Sequence, residues 1–445
     1  MEIFKIIKEY LISSQLRENC KLHQQDFTRN RSLTFTNLTV FIINFVKKSL
    51  QLELYSFADF FNTLSVSKQA FSKARKKLSP MVFTLLNQKL LDEFYIDNEI
   101  KTFKGFRILA IDGSTLRLPL DQELYDFYGT NIRDSNIPLA KISTMFDVLN
   151  HVTLHGIIQN HKASERNMAA EHIGHLTQID NLNQSFENLL IFDRGYPSLG
   201  LLLMLNHTKK NFLMRIQKSF FSETNIAIEM ERRDSIITIS ALEKRISQNA
   251  SFNKYLSDLQ LDEKLEIRFL ILDLPNGQKE YIITSLIDQK IFSANDIFSL
   301  YNLRWNIEEN YKFYKNIAKI ENFSGKSKIA IEQDFYATIF ACNISALLMC
   351  EAQEEIEAEI AKSNQIYRQN QKEKKSKYKY KINRNILIGT IKNEIMDILL
   401  GDHDLDKYCE KLKDRIKKNL VPIIPGRRFP RYFKQIKNTV DRKAL

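Results

Sequence analysis

The sequence predicts an α/β protein with a mixed central sheet and helical regions on either side. Three observations predict it. Residues 1–100 place apolar side chains at three- and four-residue spacing and show no strand pattern, whereas from Phe103 short apolar runs alternate with helical stretches, and beyond Lys362 the chain turns strongly basic. Composition agrees: 44% apolar and 11% aromatic content over 445 residues, with 12 Gly and 8 Pro, can build sizeable cores. A disordered or fibrous chain is excluded.

The N-terminal helical region is assigned to 1–100, with apolar periodicity clearest at 33–46 and 55–94. Within it, LSVSKQAFSKARKKLSP offers Ser67 as an N-cap and sets Lys68, Gln69, Lys73, Arg75, Lys76 and Lys77 around an apolar line of Ala70, Phe71, Ala74 and Leu78; Pro80 stops the helix. This resembles the recognition helix of a helix-turn-helix unit, which makes Lys73 and Arg75 candidate DNA contacts. A basic solvated helix face gives the same pattern.

The core is assigned to 101–217 and 297–350. FRILAIDGS reads as a buried strand closed by Asp112-Gly113, and STMFDVLNHVTLHGIIQ as two further strands. A helix over 165–179 follows, then NLLIFDRGY, a strand ending in Asp193-Arg194-Gly195-Tyr196. The helix LGLLLMLNH and the strand NFLMRIQ complete the series. Residues 218–296 interrupt it with IITIS and LEIRFLILDLPNGQKEYIITSLI, the latter split by a Pro-Asn-Gly turn, and read as an inserted β subdomain. A patterned helix over about 297–319, an apolar helix over 335–349 and an acidic turn of five glutamates between Glu351 and Glu359 lead into the basic C-terminal region, 351–445.

The chain carries 65 Lys+Arg against 53 Asp+Glu, a net charge of +12, which points to a polyanionic partner. From Lys362 onward there are 23 basic and 9 acidic residues, against 42 and 44 before it, so the surplus belongs to the C-terminal region. Cys20, Cys342, Cys350 and Cys409 show no zinc or disulfide spacing, which suits a reducing compartment. No signal peptide is expected at MEIFKIIKEYL, and no membrane span, since the longest nearly uncharged stretch, 337–350, is interrupted by Thr338, Asn343 and Ser345. His151 with His155, and His172 with His175, have no cysteine or carboxylate at ligand spacing, so no zinc site is expected.

The chemistry sits in acidic residues. Asp112 and Asp193 each follow an apolar strand and precede or adjoin a glycine, where a carboxylate can meet a ligand closely; a hard divalent cation wants such oxygens. Each alone also reads as an aspartate capping the next turn. In YNLRWNIEENYKFYK, Tyr301, Arg304, Glu308 and Lys315 stand at offsets that project from one helical face within an arc of about 60°. Arg304 and Glu308 taken alone are an ordinary i,i+4 pair.

Together, Asp112 in DGST, Asp193 in DRGY and Glu308 in Y-x-x-R-x-x-x-E-x-x-x-x-x-x-K resemble the three acidic motifs of the DDE transposases of bacterial insertion sequences, in the group with the Tyr-Arg-Glu-Lys signature. The resemblance covers about 103–349, including the β insertion and the NFSGKS segment after the signature. It implies an RNase H-like catalytic core in which Asp112, Asp193 and Glu308 hold two Mg²⁺ ions, with Mn²⁺ as a substitute. It also implies that Tyr301, Arg304 and Lys315 contact phosphate near the cleaved element end, with Arg194 and Tyr196 as further candidates. Three converging carboxylates need such cations, because unneutralised they repel and raise one another's pKa.

The implied function is cut-and-paste transposition: binding of terminal inverted repeats in double-stranded DNA, cleavage of both strands, and joining of free 3′ ends to target DNA by a homodimer in the paired-end complex, in the bacterial cytoplasm at the nucleoid. A non-catalytic DNA-binding protein derived from a transposase would lack an acidic residue or the signature, and both are intact here. An RNase H-like nuclease that hydrolyses without joining shares the same site. The segment after Lys362 is expected to add salt-sensitive DNA affinity or help pair the two ends.

Overall fold

The computed structural model describes residues 2–29, 31–44, 49–63, 65–97, 100–131, 137–182, 186–218, 220–240, 264–274, 277–370 and 379–424. Most of the basic KEKKSKYKYKINR segment and the tail from residue 425 lie outside the described residues. Six helices come first: α1 (Glu2–Ile12), α2 (Ser14–Cys20), α3 (Phe35–Ile43), α4 (Leu50–Phe60), α5 (Lys68–Arg75) and α6 (Met81–Asp97). Strands β1 (Phe106–Arg117), β2 (Leu139–Asp147), β3 (Val152–Asn160), β4 (Glu187–Phe192) and β5 (Asn211–Ile216) then alternate with α7 (Gln122–Tyr128), α8 (Glu165–Leu182) and α9 (Leu199–His207). After α10 (Ser222–Glu229) come β6 (Asp234–Ser240), β7 (Lys264–Asp273) and β8 (Lys279–Thr284), followed by α11 (Ala294–Asn302), α12 (Trp305–Asn316) and α13 (Lys328–Asn370). The chain closes with β9 (Lys379–Ile382), α14 (Arg384–Leu400), α15 (Leu405–Lys417) and β10 (Leu420–Ile423).

Two compact units emerge. One comprises Glu99–Arg117 and Tyr128–Lys312; the other comprises Met1–Asn98, Leu118–Phe127 and Phe313–Leu445. The first holds an eight-stranded sheet of order β3-β2-β1-β4-β5-β8-β7-β6. β1 pairs antiparallel with β2 and parallel with β4, and β4 pairs parallel with β5. This is the mixed α/β sheet the sequence predicts. Phe106–Ile111 are all buried, as a central strand covered on both faces requires, and the run Leu199–Leu205 makes α9 apolar all round, hence buried.

The β-rich stretch, read from the sequence as an inserted β subdomain, is joined to the core sheet by strand pairing. β8 pairs with β5, and β7 and β6 follow outward, so the insertion lengthens the central sheet. The apolar face that the sequence displays in these strands is buried by continuing an existing sheet edge, which also leaves fewer strand edges open. Arg268, wholly buried in β7, forks onto Asp234 of β6 at 2.7 and 2.6 Å and donates to the Phe292 carbonyl, tying this edge to the segment before α11.

The second unit is helical, organised on the 43-residue α13. By length and composition α13 is apolar enough to cross a membrane, but 78% of its most apolar window is buried inside the unit, as in a core helix. The apolar helix and the acidic turn read separately from the sequence are thus one helix. Its glutamates face α15: Lys413 reaches Glu355 at 2.7 Å and Glu351 at 3.6 Å, and Lys417 also pairs with Glu355.

Ser67 caps α5 as expected, accepting from the Ala70 N–H at 3.1 Å. Arg75 overturns an expectation. It is 3% exposed, and its guanidinium donates to Gln333 Oε1 at 2.9 Å, Ser324 Oγ at 2.7 Å, Asp334 Oδ1 at 3.0 Å and the Ala330 carbonyl at 3.3 Å. A buried guanidinium with every fork occupied holds α5 to α13 and cannot read DNA. The NFSGKS segment contributes Ser324 and also Gly325, where a Cβ would crowd Ala330 at 2.7 Å and Arg75 at 3.2 Å. Lys73, on the same helix, is exposed.

Candidate active site

The two aspartates are set by sheet register. β1 and β4 pair in parallel from Phe106 opposite Glu187 to Ala110 opposite Ile191, and carrying that offset two residues further brings Asp112 to the level of Asp193. Ligands of open α/β sheets bind outside the carboxyl ends of parallel strands, which is where Asp193 stands, just past β4, while Asp112 lies two residues beyond the last β1 residue paired with β4. Asp112 does not close its strand, as the sequence suggested: β1 continues to Arg117 along β2, with Asp112 opposite Thr144. The carboxylate is therefore held mid-strand. Its Oδ1 accepts from the Gly113 N–H at 2.8 Å, and its carbonyl accepts from Tyr311 at 2.6 Å and Ser143 at 3.0 Å. Asp193 follows directly on β4 and begins a turn closed by the Tyr196 N–H.

The signature is not one straight helix. α11 ends at Asn302 and α12 begins at Trp305; between and around them Leu303, Arg304, Asn306 and Ile307 each bond back only three residues. That tightened turn changes the angular step, so the uniform 100° projection fails between Tyr301 and Glu308. Tertiary contacts bring the residues together instead. The Tyr301 hydroxyl donates to Asp193 Oδ1 at 3.2 Å, and Arg304 pairs with Glu308 at 2.9 Å while lying 4.8 Å from the Trp305 ring centroid. Tyr301 is 2% exposed, so its hydroxyl serves Asp193 in this structure and not a phosphate. Arg304 is equally buried, and its Nε has no hydrogen-bond partner. Lys315 lies in the last turn of α12, half-buried.

The DRGY residues separate. Arg194 is exposed. Tyr196 is 1% exposed, so the expectation of a phosphate contact is corrected to an inner-wall position; its hydroxyl has no partner. Burial, then the nearby Asp112 and Glu165, hold that phenol well above its ordinary pKa. Sequence reasoning missed Tyr311, which stands at an unassigned position inside the signature stretch, and Ser143, which lies in a strand with no motif; both donate to the Asp112 carbonyl.

Asp112 titrates near 6, raised first by burial and then by Glu165 and Asp193, against the opposing Gly113 hydrogen bond and Arg304 charge. An unfolded Asp ionises near 3.8, so the folded state holds the extra proton between these values, and stability falls as pH rises from 3.8 through 6. At pH 7.5 in chelator, Asp112→Asn is therefore expected to be more stable than wild type, by at most ~3 kcal/mol. At pH 4 the two should melt together. Equal melting at pH 7.5 would show that Asp112 carries no such cost.

The donor set, carboxylate oxygens with a phenol, suits a hard cation such as Mg²⁺. Among the described residues no three His, Cys, Asp or Glu side chains converge closely enough to hold an ion, and Glu308 is drawn onto Arg304. The histidines group differently from their sequence pairing. His155 Nδ1 meets His172 Nδ1 at 2.9 Å and its ring stacks on His175 at 4.1 Å, while His172 Nε2 meets Ser143 Oγ at 3.0 Å. Burial pushes all three down, His155 to about 3, so they stay neutral at physiological pH.

The family model described as a transposase DDE domain matches residues 104–344, more than half of the chain. The transposase InsG for insertion sequence element IS4 of Escherichia coli (strain K12) is 22% identical over 300 residues, covering 66% of this chain and 63% of that protein. The matched stretch is thus less than two thirds of that relative's length. A solved piggyBac transposase synaptic complex with hairpin DNA aligns over 96% of this chain and 84% of that one, at 11% identity and a TM-score of 0.41.

Proposed function

The chain belongs to the DDE transposase family, and from that premise we propose that it is a cut-and-paste DNA transposase of an insertion sequence. One observation carries the reading: the parallel register that levels Asp112 with Asp193, with Tyr301 bound to Asp193 and Arg304 bound to Glu308 beside them. Asp112, Asp193 and Glu308 would hold divalent cations, Mg²⁺ or in its place Mn²⁺, which when bound supply an activated water or 3′-hydroxyl and neutralise charge at the scissile phosphate. Glu308 must exchange Arg304 for that role. Arg304, released and with an unused Nε donor, would then face phosphate, a task suited to its planar fork. Lys315 and the exposed Arg194 would add positive charge for the backbone, and Lys73 an outlying contact.

The substrate would be double-stranded DNA carrying the element's terminal inverted repeats, with target DNA as second substrate and a homodimer pairing the ends, in the bacterial cytoplasm at the nucleoid. The test uses DNA bearing the inverted repeats that flank the gene. Intact ends with Mg²⁺ should be cut on both strands, and precut 3′ ends should join to a plasmid. Cutting without joining would reduce the reading to a nuclease, and binding without either to a DNA-binding relative.

A further inference from the structure

Tyr311 joins the helix that carries Glu308 to the strand that carries Asp112. It sits on α12 three residues after Glu308, the spacing that puts two side chains on one helix face. Tyr311 is 6% exposed, and its hydroxyl accepts from Thr144 Oγ1 at 3.0 Å and donates to the Asp112 carbonyl at 2.6 Å. The strand register fixes which side of the sheet this is. Asp112 stands opposite Thr144 in the antiparallel β1–β2 pair, so their side chains share a face, while Gly113 and Ser143, the next pair, turn to the other. The bond from Thr144 therefore sets Tyr311, and α12 with it, on the Asp112 side. Past Ala110, β1 is no longer paired with β4, and on that stretch Tyr311 supplies a bond from a helix to the peptide of the aspartate itself.

We propose that Tyr311 is a positioning residue for the acidic centre: its hydroxyl fixes the height of α12 against Asp112, so that Glu308 reaches its working place by turning its own side chain away from Arg304 while the helix stays still. The proposal rests on the reading of Asp112, Asp193 and Glu308 as cation holders given above. A tyrosine that only filled the core would need no more than its ring, which phenylalanine also provides. The hydroxyl adds a directional bond, and its acceptor is the carbonyl that belongs to Asp112. Such centres work only when their groups are held to within about half an ångström, and loss of a supporting hydrogen bond typically costs about tenfold to hundredfold in activity.

The experiment joins amide hydrogen exchange of the full chain, without DNA or metal, to cleavage of saturating inverted-repeat DNA with Mg²⁺. Tyr311→Phe keeps the ring and is expected to speed exchange over Trp305–Asn316 by about tenfold. Its cutting rate should fall by about tenfold to hundredfold, while the DNA concentration giving half the maximal rate stays within about twofold. Thr144→Val strips the donor that orients the hydroxyl and should move exchange and rate the same way, and Thr144→Ser should restore both; this pair keeps the test open if Tyr311→Phe fails to fold. Ser143→Ala removes the other donor to the same carbonyl from the opposite face and should leave exchange in α12 as in wild type. Unchanged exchange in Tyr311→Phe, or equal loosening of α12 by Ser143→Ala, would mark a general sheet contact, and the proposal falls. It falls too if α12 loosens while cutting keeps the wild-type rate. If exchange responds as expected but the wild-type chain itself fails to cut, the cleavage reading fails and takes the positioning role with it, a distinct result.

Discussion

Asp193→Ala protein is expected to bind terminal-repeat DNA in a gel-shift assay within a few-fold of wild type, yet to cut it at least about 10³-fold more slowly, a loss of ~4 kcal/mol in transition-state stabilisation. The substitution removes a carboxylate at the end of β4 and strands the Tyr301 hydroxyl that donates to it. Asp112→Ala and Glu308→Ala should fail in the same way. Because the three would act as a unit, the double variant should be scarcely worse than either single one. Full cleavage by any of them would remove the cation assignment.

Arg75→Ala should be the most destabilising change outside the sheet unit. It leaves Asp334, whose side chain is 1% exposed, without its cation and returns three donors' worth of acceptors to the interior. Breaking a buried pair from one side costs ~3–5 kcal/mol. Urea unfolding should show that loss, and Lys73→Ala should show almost none. If Arg75 instead read DNA from a surface helix, its alanine variant would melt like wild type and bind DNA less tightly.

Why the sequence misleads at Arg75 is a matter of distance along the chain. Lys73 and Arg75 sit two residues apart in one basic helix and differ only in what lies opposite, and the partners of Arg75 come from about 250 residues away. Local pattern cannot carry that. The strands around Asp112 and Asp193 were legible because an apolar run announces burial by itself. The length of β1 was not, since Gly113–Arg117 has a single apolar residue, Leu116, and is paired as strand with β2. The tightened turn at Leu303 and Arg304 was hidden because both halves keep a right-handed helical pattern. Partner choice by β8, which extends the main sheet, was likewise a non-local decision.

The shared register of β1 and β4 makes the spacing of the two aspartates a quantity counted in whole residues. Pleated strands slip only by discrete steps, and a single step would turn one carboxylate to the opposite face of the sheet. The pair is therefore either aligned or lost, with no graded series of slightly misplaced geometries between. The aspartates are thus the fixed datum of the site, from which the position of Glu308 on α12, paired with Arg304 in this structure, is measured.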